Sequence, residues 1–290
     1  MTPDRAPQKI FQYVCQESDV PNLPTQDIGS GSIAYVVDKS EIYIYHEAYG
    51  WNKFLTVGGS GGDEDTWKTL CIDVMQGGMR SLDVPEVETI RDYCFYSETL
   101  LTSVSLPDVT YISNSAFQNC THLTTAYLPS CLSIGSDAFR RCLQLSDITL
   151  SEDISDISSN AFLECTNLTS FVISDSLTHI GSDAFARSGL TTLSVDPMSA
   201  TLEEIQDGAF SRTKLTEVDI PASVMAIYND AFASINTLQT VRFYGTPDTI
   251  DEIFSGDDNL TDIYVPWSDG EVDGAPWGAE NATIHYDTVY

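Results

Sequence analysis

The sequence predicts a solenoid: a long C-terminal stack of similar coils sharing one apolar interior and one parallel β-sheet, preceded by a small β module. Two observations lead to it. The hexapeptide IGSDAF occurs at Ile134–Phe139 and again at Ile180–Phe185. Relaxed to Ile-x-x-x-(Ala/Cys)-Phe, it recurs with isoleucines at Ile90, Ile112, Ile134, Ile157, Ile180, Ile205 and Ile227, at intervals of 22 to 25 residues. The matching phenylalanines are Phe95, Phe117, Phe139, Phe162, Phe185, Phe210 and Phe232, with a shortened copy at Ile250 and Phe254. Between copies lies a second element, Leu-x-x-φ-x-φ with φ apolar, often closed by proline, as in Leu123–Pro129, Leu215–Pro221 and Leu260–Pro266. Self-similarity at such a period is the mark of stacked repeats.

In chain order, residues 1–56 form an N-terminal part. Met1–Ser30 reads only as an arm or docking segment. Gly31–Phe54 (GSIAYVVDKSEIYIYHEAYGWNKF) reads as two alternating strands joined at Asp38-Lys39-Ser40 and closing on Trp51. Residues 57–66 (VGGSGGDEDT) have the composition of a flexible acidic linker. Residues 67–290 hold the solenoid with its terminal caps, opened by the half-copy Met79–Pro85.

Each unit has two local signatures. The φ-x-φ stretch alternates with period 2, which points both apolar residues to one side of a strand. The trailing proline lacks an N–H and suits a strand end. The Ser/Asp/Asn/Gly-rich run before Ala-Phe is turn chemistry that can cap a short helical segment. A single unit cannot bury its Ile, Phe and Leu, whereas stacked units give them continuous columns. Nine short strands, from Leu82–Val84 to Ile263–Val265, are therefore expected to line one face as a parallel sheet.

These letters resemble the BspA-like leucine-rich repeat family over roughly residues 79–290, and Pro276-Trp277-Gly278 with Asn281-Ala282-Thr283-Ile284 resembles that family's C-terminal cap. The resemblance implies a leucine-rich repeat solenoid, with the parallel β-sheet on the concave face and short helical or 3-10 turns on the other. It further implies adhesion and protein contacts at a surface rather than catalysis, and it transfers no binding residue. Gly31–Phe54 is similar to short β modules of tailed-bacteriophage fibre and appendage proteins. That similarity implies a virion protein made in the host cytoplasm. It would dock to other virion proteins through its N-terminal module and be a homo-oligomer, by analogy with fibres a trimer.

Composition narrows the partners. Asp and Glu total 43 against 13 Lys and Arg, a formal net charge of −30. A polyanion repels phosphate backbones and anionic membranes, so neither nucleic acid nor membrane is an expected partner. The charge suits solubility. No apolar run approaches the roughly 20 residues of a membrane span. The opening MTPDRAPQKIFQYVCQ lacks the basic and apolar regions of an export signal, which fits a virion protein released by lysis better than a secreted adhesin. Of the seven cysteines, Cys120, Cys142 and Cys165 each follow the repeat phenylalanine by three residues, where later units carry Ser188, Thr213 and Ile235. A slot accepting these residues is a small buried packing position, and the odd total without C-x-x-C points to free thiols.

Chemistry-bearing motifs are absent. His46, His122, His179 and His285 occupy different structural positions, and none pairs with a nucleophile or a metal-ligand spacing. Asp269–Glu280 (DGEVDGAPWGAE) spaces acids as a calcium loop would, but Pro276 and the lack of flanking helices favour a cap turn. Asp63-Glu64-Asp65 reads as solvated linker. No cofactor and no enzymatic activity is expected. What remains is the outward side of the strand ladder. One row runs Asp83, Ser105, Tyr127, Thr149, Val172, Ser194, Asp219, Arg242, Tyr264; the row before it runs Ser81, Ser103, Thr125, Asp147, Ser170, Thr192, Glu217, Thr240, Asp262. Tyr127, Arg242 and Tyr264 are the large side chains there and the candidate anchors of a concave binding face. Arg242 and Tyr264 are neighbours, with Tyr127 far away. The expected protein is a non-enzymatic phage appendage, a fibre or decoration protein, adhering to host-surface or mucosal protein or glycan. The alternative is a bacterial or protist cell-surface adhesin.

Overall fold

The structure, a computed structural model, describes residues 88–90 and 92–288, with the strand backbones at Gln12–Cys15, Ile33–Val36, Glu41–His46, Gly50–Thr56 and Ser81–Asp83. The expected linker and its acidic cluster lie outside the described residues. In the N-terminal part, β1 (Gln12–Cys15), β2 (Ile33–Val36), β3 (Glu41–His46) and β4 (Gly50–Thr56) form a sheet in that order. The expected hairpin is β2 and β3, antiparallel with Ile33 opposite Ile44. Trp51 is the second residue of β4, which pairs with β3, and the arm contributes β1, parallel to β2.

The repeats build the solenoid. Its front strands are β5 (Ser81–Asp83), β7 (Ser103–Ser105), β9 (Thr125–Leu128), β11 (Asp147–Leu150), β13 (Ser170–Val172), β15 (Thr192–Ser194), β17 (Glu217–Ile220), β19 (Thr240–Phe243) and β21 (Asp262–Tyr264). The cap adds β22 (Thr283–His285) beside β21. Every front pairing is parallel, as repetition of one unit requires. The repeat isoleucines close a second parallel sheet of two-residue strands: β6 (Thr89–Ile90), β8 (Tyr111–Ile112), β10 (Ser133–Ile134), β12 (Asp156–Ile157), β14 (His179–Ile180), β16 (Glu204–Ile205), β18 (Ala226–Ile227) and β20 (Thr249–Ile250). This sheet is continuous over all eight strands.

The Ala-Phe segments resolve into successive tight turns, and their hydrogen bonds explain why no helix propagates. Ala116, Gln118 and Cys120 donate to carbonyls three residues back, whereas Ser115, Phe117 and Asn119 between them donate to Ser136, Ala138 and Arg140 on the next coil. Half the N–H groups a helix needs are thus spent on stacking. The geometry demands left-handed residues two before and two after each phenylalanine: Ser115 (56°) and Asn119 (63°), Asp137 (58°) and Arg141 (59°), Asn160 (59°) and Glu164 (61°). Asn, Asp and Gly carry that conformation at least cost and serve before the ring at Asp137, Asn160, Asp183, Gly208 and Asp230, whereas Arg141, Glu164, Arg187 and Arg212 adopt it after the ring. At the same position of its own unit Gly208 takes φ 64°, where an added Cβ would displace the Asp183 carboxylate 2.6 Å away.

The interior is a ladder of rings. Phe95, Phe117, Phe139, Phe162, Phe185, Phe210 and Phe232 stack with centroids 5.0 to 5.5 Å apart and interplanar angles of at most 13°. Burying each contributes about 1.5–3 kcal/mol, and the ring contacts add about 0.5–1.5 kcal/mol per pair. The column ends at Phe254, tilted 34° against Phe232 at 6.2 Å, and Phe243, Trp267 and Trp277 form a ring cluster toward the C-terminal end.

The packing slot is as expected and longer. Cys120, Cys142 and Cys165 are buried, unoxidised thiols whose sulfurs sit 3.0–3.1 Å from the carbonyls of Phe95, Phe117 and Phe139. Burial pushes all three thiols up, so they remain neutral and unreactive. Ser188 and Thr213 follow with buried, unpartnered hydroxyls, each at a cost of about 1–3 kcal/mol. Beyond Ile235 the slot ends at Asp257, only 2% exposed, whose Oδ1 accepts from the Ile235 N–H.

Two outcomes test this interior. Phe162→Ala should destabilise the chain by about 3–5 kcal/mol in urea unfolding; a loss below about 1 kcal/mol would exclude a close-packed ring column. Asp257 is pushed up to about 8, chiefly by burial. Its unfolded value is about 3.9, so the folded state binds the proton more tightly. The stabilisation is complete below about pH 4 and is lost as pH rises to about 8. Denaturation measured across that window should show the wild type weakening with pH, and Asp257→Asn weakening less.

Candidate functional site

The ladder register aligns the outward residues as expected. Ser103 faces Thr125 and Ser105 faces Tyr127, Thr125 faces Asp147 and Tyr127 faces Thr149, and Asp219, Arg242, Tyr264 and His285 follow one another across β17, β19, β21 and β22. The inner φ residues Val104, Ala126, Val218, Val241 and Ile263 are buried, so the alternate residues face solvent.

Of the sequence-derived candidates, Tyr127 is 49% exposed and stands among Ser and Thr. Arg242 and Tyr264 do lie side by side, but each has a further partner. Arg242 donates to Glu217 (3.0 Å) and Asp219 (3.2 Å) on β17. The Glu217 hydrogen bond is the main reason its guanidinium is held above its usual range. Tyr264 stacks on the His285 ring at 4.4 Å and 13°. His285 Nε2 lies 2.8 Å from Asp262 Oδ1, and that contact is the main cause holding Asp262 low. The result is a strip running from two carboxylates through Arg242 to a Tyr-His pair. His285, beyond the last full repeat, is the member that repeat spacing cannot register.

A second feature escapes the repeat pattern. The front sheet is interrupted between β11 and β13 and between β15 and β17, although the isoleucine sheet behind is unbroken. Among the described residues, no backbone hydrogen bond joins β11 to β13. At that first interruption lies an open groove of about 910 Å³, floored by Ile148, Leu150, Phe171 and Ile173 and flanked by Val172 and Val195. Ile148 and Leu150, inward by pattern, are only half-buried, and Val172 is 69% exposed. Phe171 is the inward residue of β13. It fills the position held elsewhere by Val104, Ala126, Leu193 or Val218, and its ring enters the core 6.0 Å from Phe162 and 4.7 Å from Phe185. The strand carrying this ring is unpaired on the β11 side and keeps its ladder with β15, Phe171 opposite Leu193. Asp147, Glu152, Asp153, Asp175 and Asp196 rim the groove, and no Lys, Arg or His lines it.

The Asp269–Glu280 loop folds as the end cap: Trp277 is 1% exposed and its indole N–H donates to the Asp273 carbonyl at 3.1 Å. Among the described residues, no group of three or more His, Cys, Asp or Glu is arranged to hold a metal ion. No helix among them is long and apolar enough to cross a membrane.

Several solved structures are similar, two of them leucine-rich repeat proteins of bacteria. One is a leucine rich cell surface protein from Faecalibacterium prausnitzii, 22% identical over 78% of this chain and 69% of that one, with a TM-score of 0.56. The other is a leucine rich repeat protein from T. pallidum, 25% identical over 61% of this chain and 76% of that one, with a TM-score of 0.42. No curated protein matches the chain. The BspA type leucine rich repeat region matches residues 88–202 and 192–273 in six copies. With the stacked coils, the two parallel sheets and the phenylalanine ladder, that match assigns the chain to the BspA type leucine-rich repeat family.

Proposed function

We propose that this protein is a non-catalytic binding protein, displayed outside a cell or particle, whose solenoid supports the front face as its contact surface. The carrying observation is the ladder register, which repeats outward-facing side chains from coil to coil while the core absorbs the apolar residues. Such a surface suits a protein or glycan ligand on a host or mucosal surface, bound weakly per copy and strengthened by many copies. The Arg242, Tyr264 and His285 strip is the proposed anchor, with Tyr127 as an outlying contact.

Display on a cell surface, as an adhesin, is the leading setting, supported by the likeness to a leucine rich cell surface protein. A bacteriophage appendage is the second, favoured by the Gly31–Phe54 pattern and its hairpin. There the N-terminal module would dock to other virion proteins, and the chain would act as a homo-oligomer.

Two experiments test these readings. Arg242→Ala should change unfolding free energy by less than about 1 kcal/mol, because exposed ion pairs contribute little, while adhesion to mucin-coated or host-cell surfaces falls. Unchanged adhesion removes the strip from the contact surface. Protease shaving of intact cells and mass spectrometry of purified virions separate the settings: release from cells supports the adhesin, recovery in particles the appendage, and neither outcome refutes both.

A further inference from the structure

We propose that the opening between β11 and β13 is a strand-addition site for an extended, cationic peptide segment of a partner protein. In the intact ladder, alternate residues of each strand bond to alternate neighbours. Asp147 donates back to Thr124, and Ile173 donates forward to Ser194. The same alternation assigns the main-chain groups of Ile148 and Leu150 on β11, and of Ser170 and Val172 on β13, to the opening. Each edge therefore offers N–H and C=O groups at strand spacing, the template that an added strand completes.

The coils are otherwise stitched together on both sides of the gap. Ser155 N–H donates to Leu132, Thr178 N–H to Ser155, and Phe139 and Phe162 to the alanines of their following coils. The opening is thus a local feature of the front sheet, held open on a continuous frame. Its volume of about 910 Å³ lies within the roughly 300–1,000 Å³ of ligand pockets.

The occupant follows from the walls. An added strand alternates its side chains, one set over the half-buried Ile148 and Leu150 and the other toward solvent and the rim. The inner set is then small and aliphatic. The outer set meets Asp147, Glu152, Asp153, Asp175 and Asp196, all exposed and none in an ion pair among the described residues. Lysine or arginine there is complementary, and the acidic rim repels acidic segments.

This proposal rests on the reading of the solenoid as a binding scaffold, but its test does not depend on where the protein is displayed or on the Arg242 strip. The intact chain is titrated by calorimetry with a capped hexapeptide of alternating lysine and valine, and backbone amide shifts are followed by NMR. Saturable binding at one peptide per chain is expected, with shifts at Ile148, Leu150, Ser170 and Val172. N-methylation of alternate peptide residues keeps the charge but removes strand hydrogen bonds, and should weaken binding by at least about tenfold. The double variant Asp147→Lys, Asp153→Lys changes exposed side chains only and should weaken it by a similar, about tenfold, factor. Circular dichroism and urea unfolding confirm that the variant is folded. Equal affinity for the N-methylated peptide, unchanged affinity of the charge-reversed chain, or no saturable binding would each overturn the proposal. If the peptide binds while Arg242→Ala leaves adhesion intact, the groove stands and the strip does not; the reverse result removes the groove alone.

Discussion

From Phe95 to Phe232, each coil of this solenoid stacks its phenylalanine on that of the next. Rings 5.0 to 5.5 Å apart leave room for one strand spacing per coil, roughly 4.8 Å. The isoleucine strands behind and the φ-x-φ strands in front therefore fall into parallel register together. The turn that carries each phenylalanine gives half of its N–H groups to the following coil. Side-chain stacking and main-chain bonding thus enforce the same repeat distance, and neither has to be strained to satisfy the other.

That economy has a consequence for the surface. Because the interior consumes the apolar residues in fixed columns, the outward positions are relieved of any packing duty and drift in identity from Ser and Thr to Tyr, Val and Arg. The front ladder parts between β11 and β13, beside Phe171, and again between β15 and β17, while the isoleucine sheet runs on. The scaffold tolerates this because the two faces are bonded independently.

Charge acts at a different level. With a formal net charge of −30, most of the surface repels anions wherever it is approached, so discrimination rests on places where the charge is arranged. Along the strip, Glu217 and Asp219 are partly neutralised by Arg242. Around the groove the carboxylates have no such counterpart among the described residues. The two sites would select different partners, the first through planar aromatic and guanidinium contacts, the second through basic side chains on an extended backbone.

Much of this was legible from letters alone. The period, the ring column, the Cys-Ser-Thr-Ile slot and both outward rows follow from spacing, because a solenoid maps sequence distance directly onto spatial adjacency. The turn before each ring was legible from its Ser, Asp, Asn and Gly residues, whereas the left-handed backbone at Arg141 and Glu164 was not. Tertiary structure alone decided the rest. The pairing of Arg242 with β17 carboxylates rather than with Tyr264 depends on side-chain reach across coils. The burial of Asp257 depends on the slot continuing past the last cysteine into the cap. The parting of β11 from β13 is not marked by the repeat pattern, which continues unchanged on both sides of it. Periodicity reports which residues share a column; only packed volumes and hydrogen-bond geometry decide where a column fails to close.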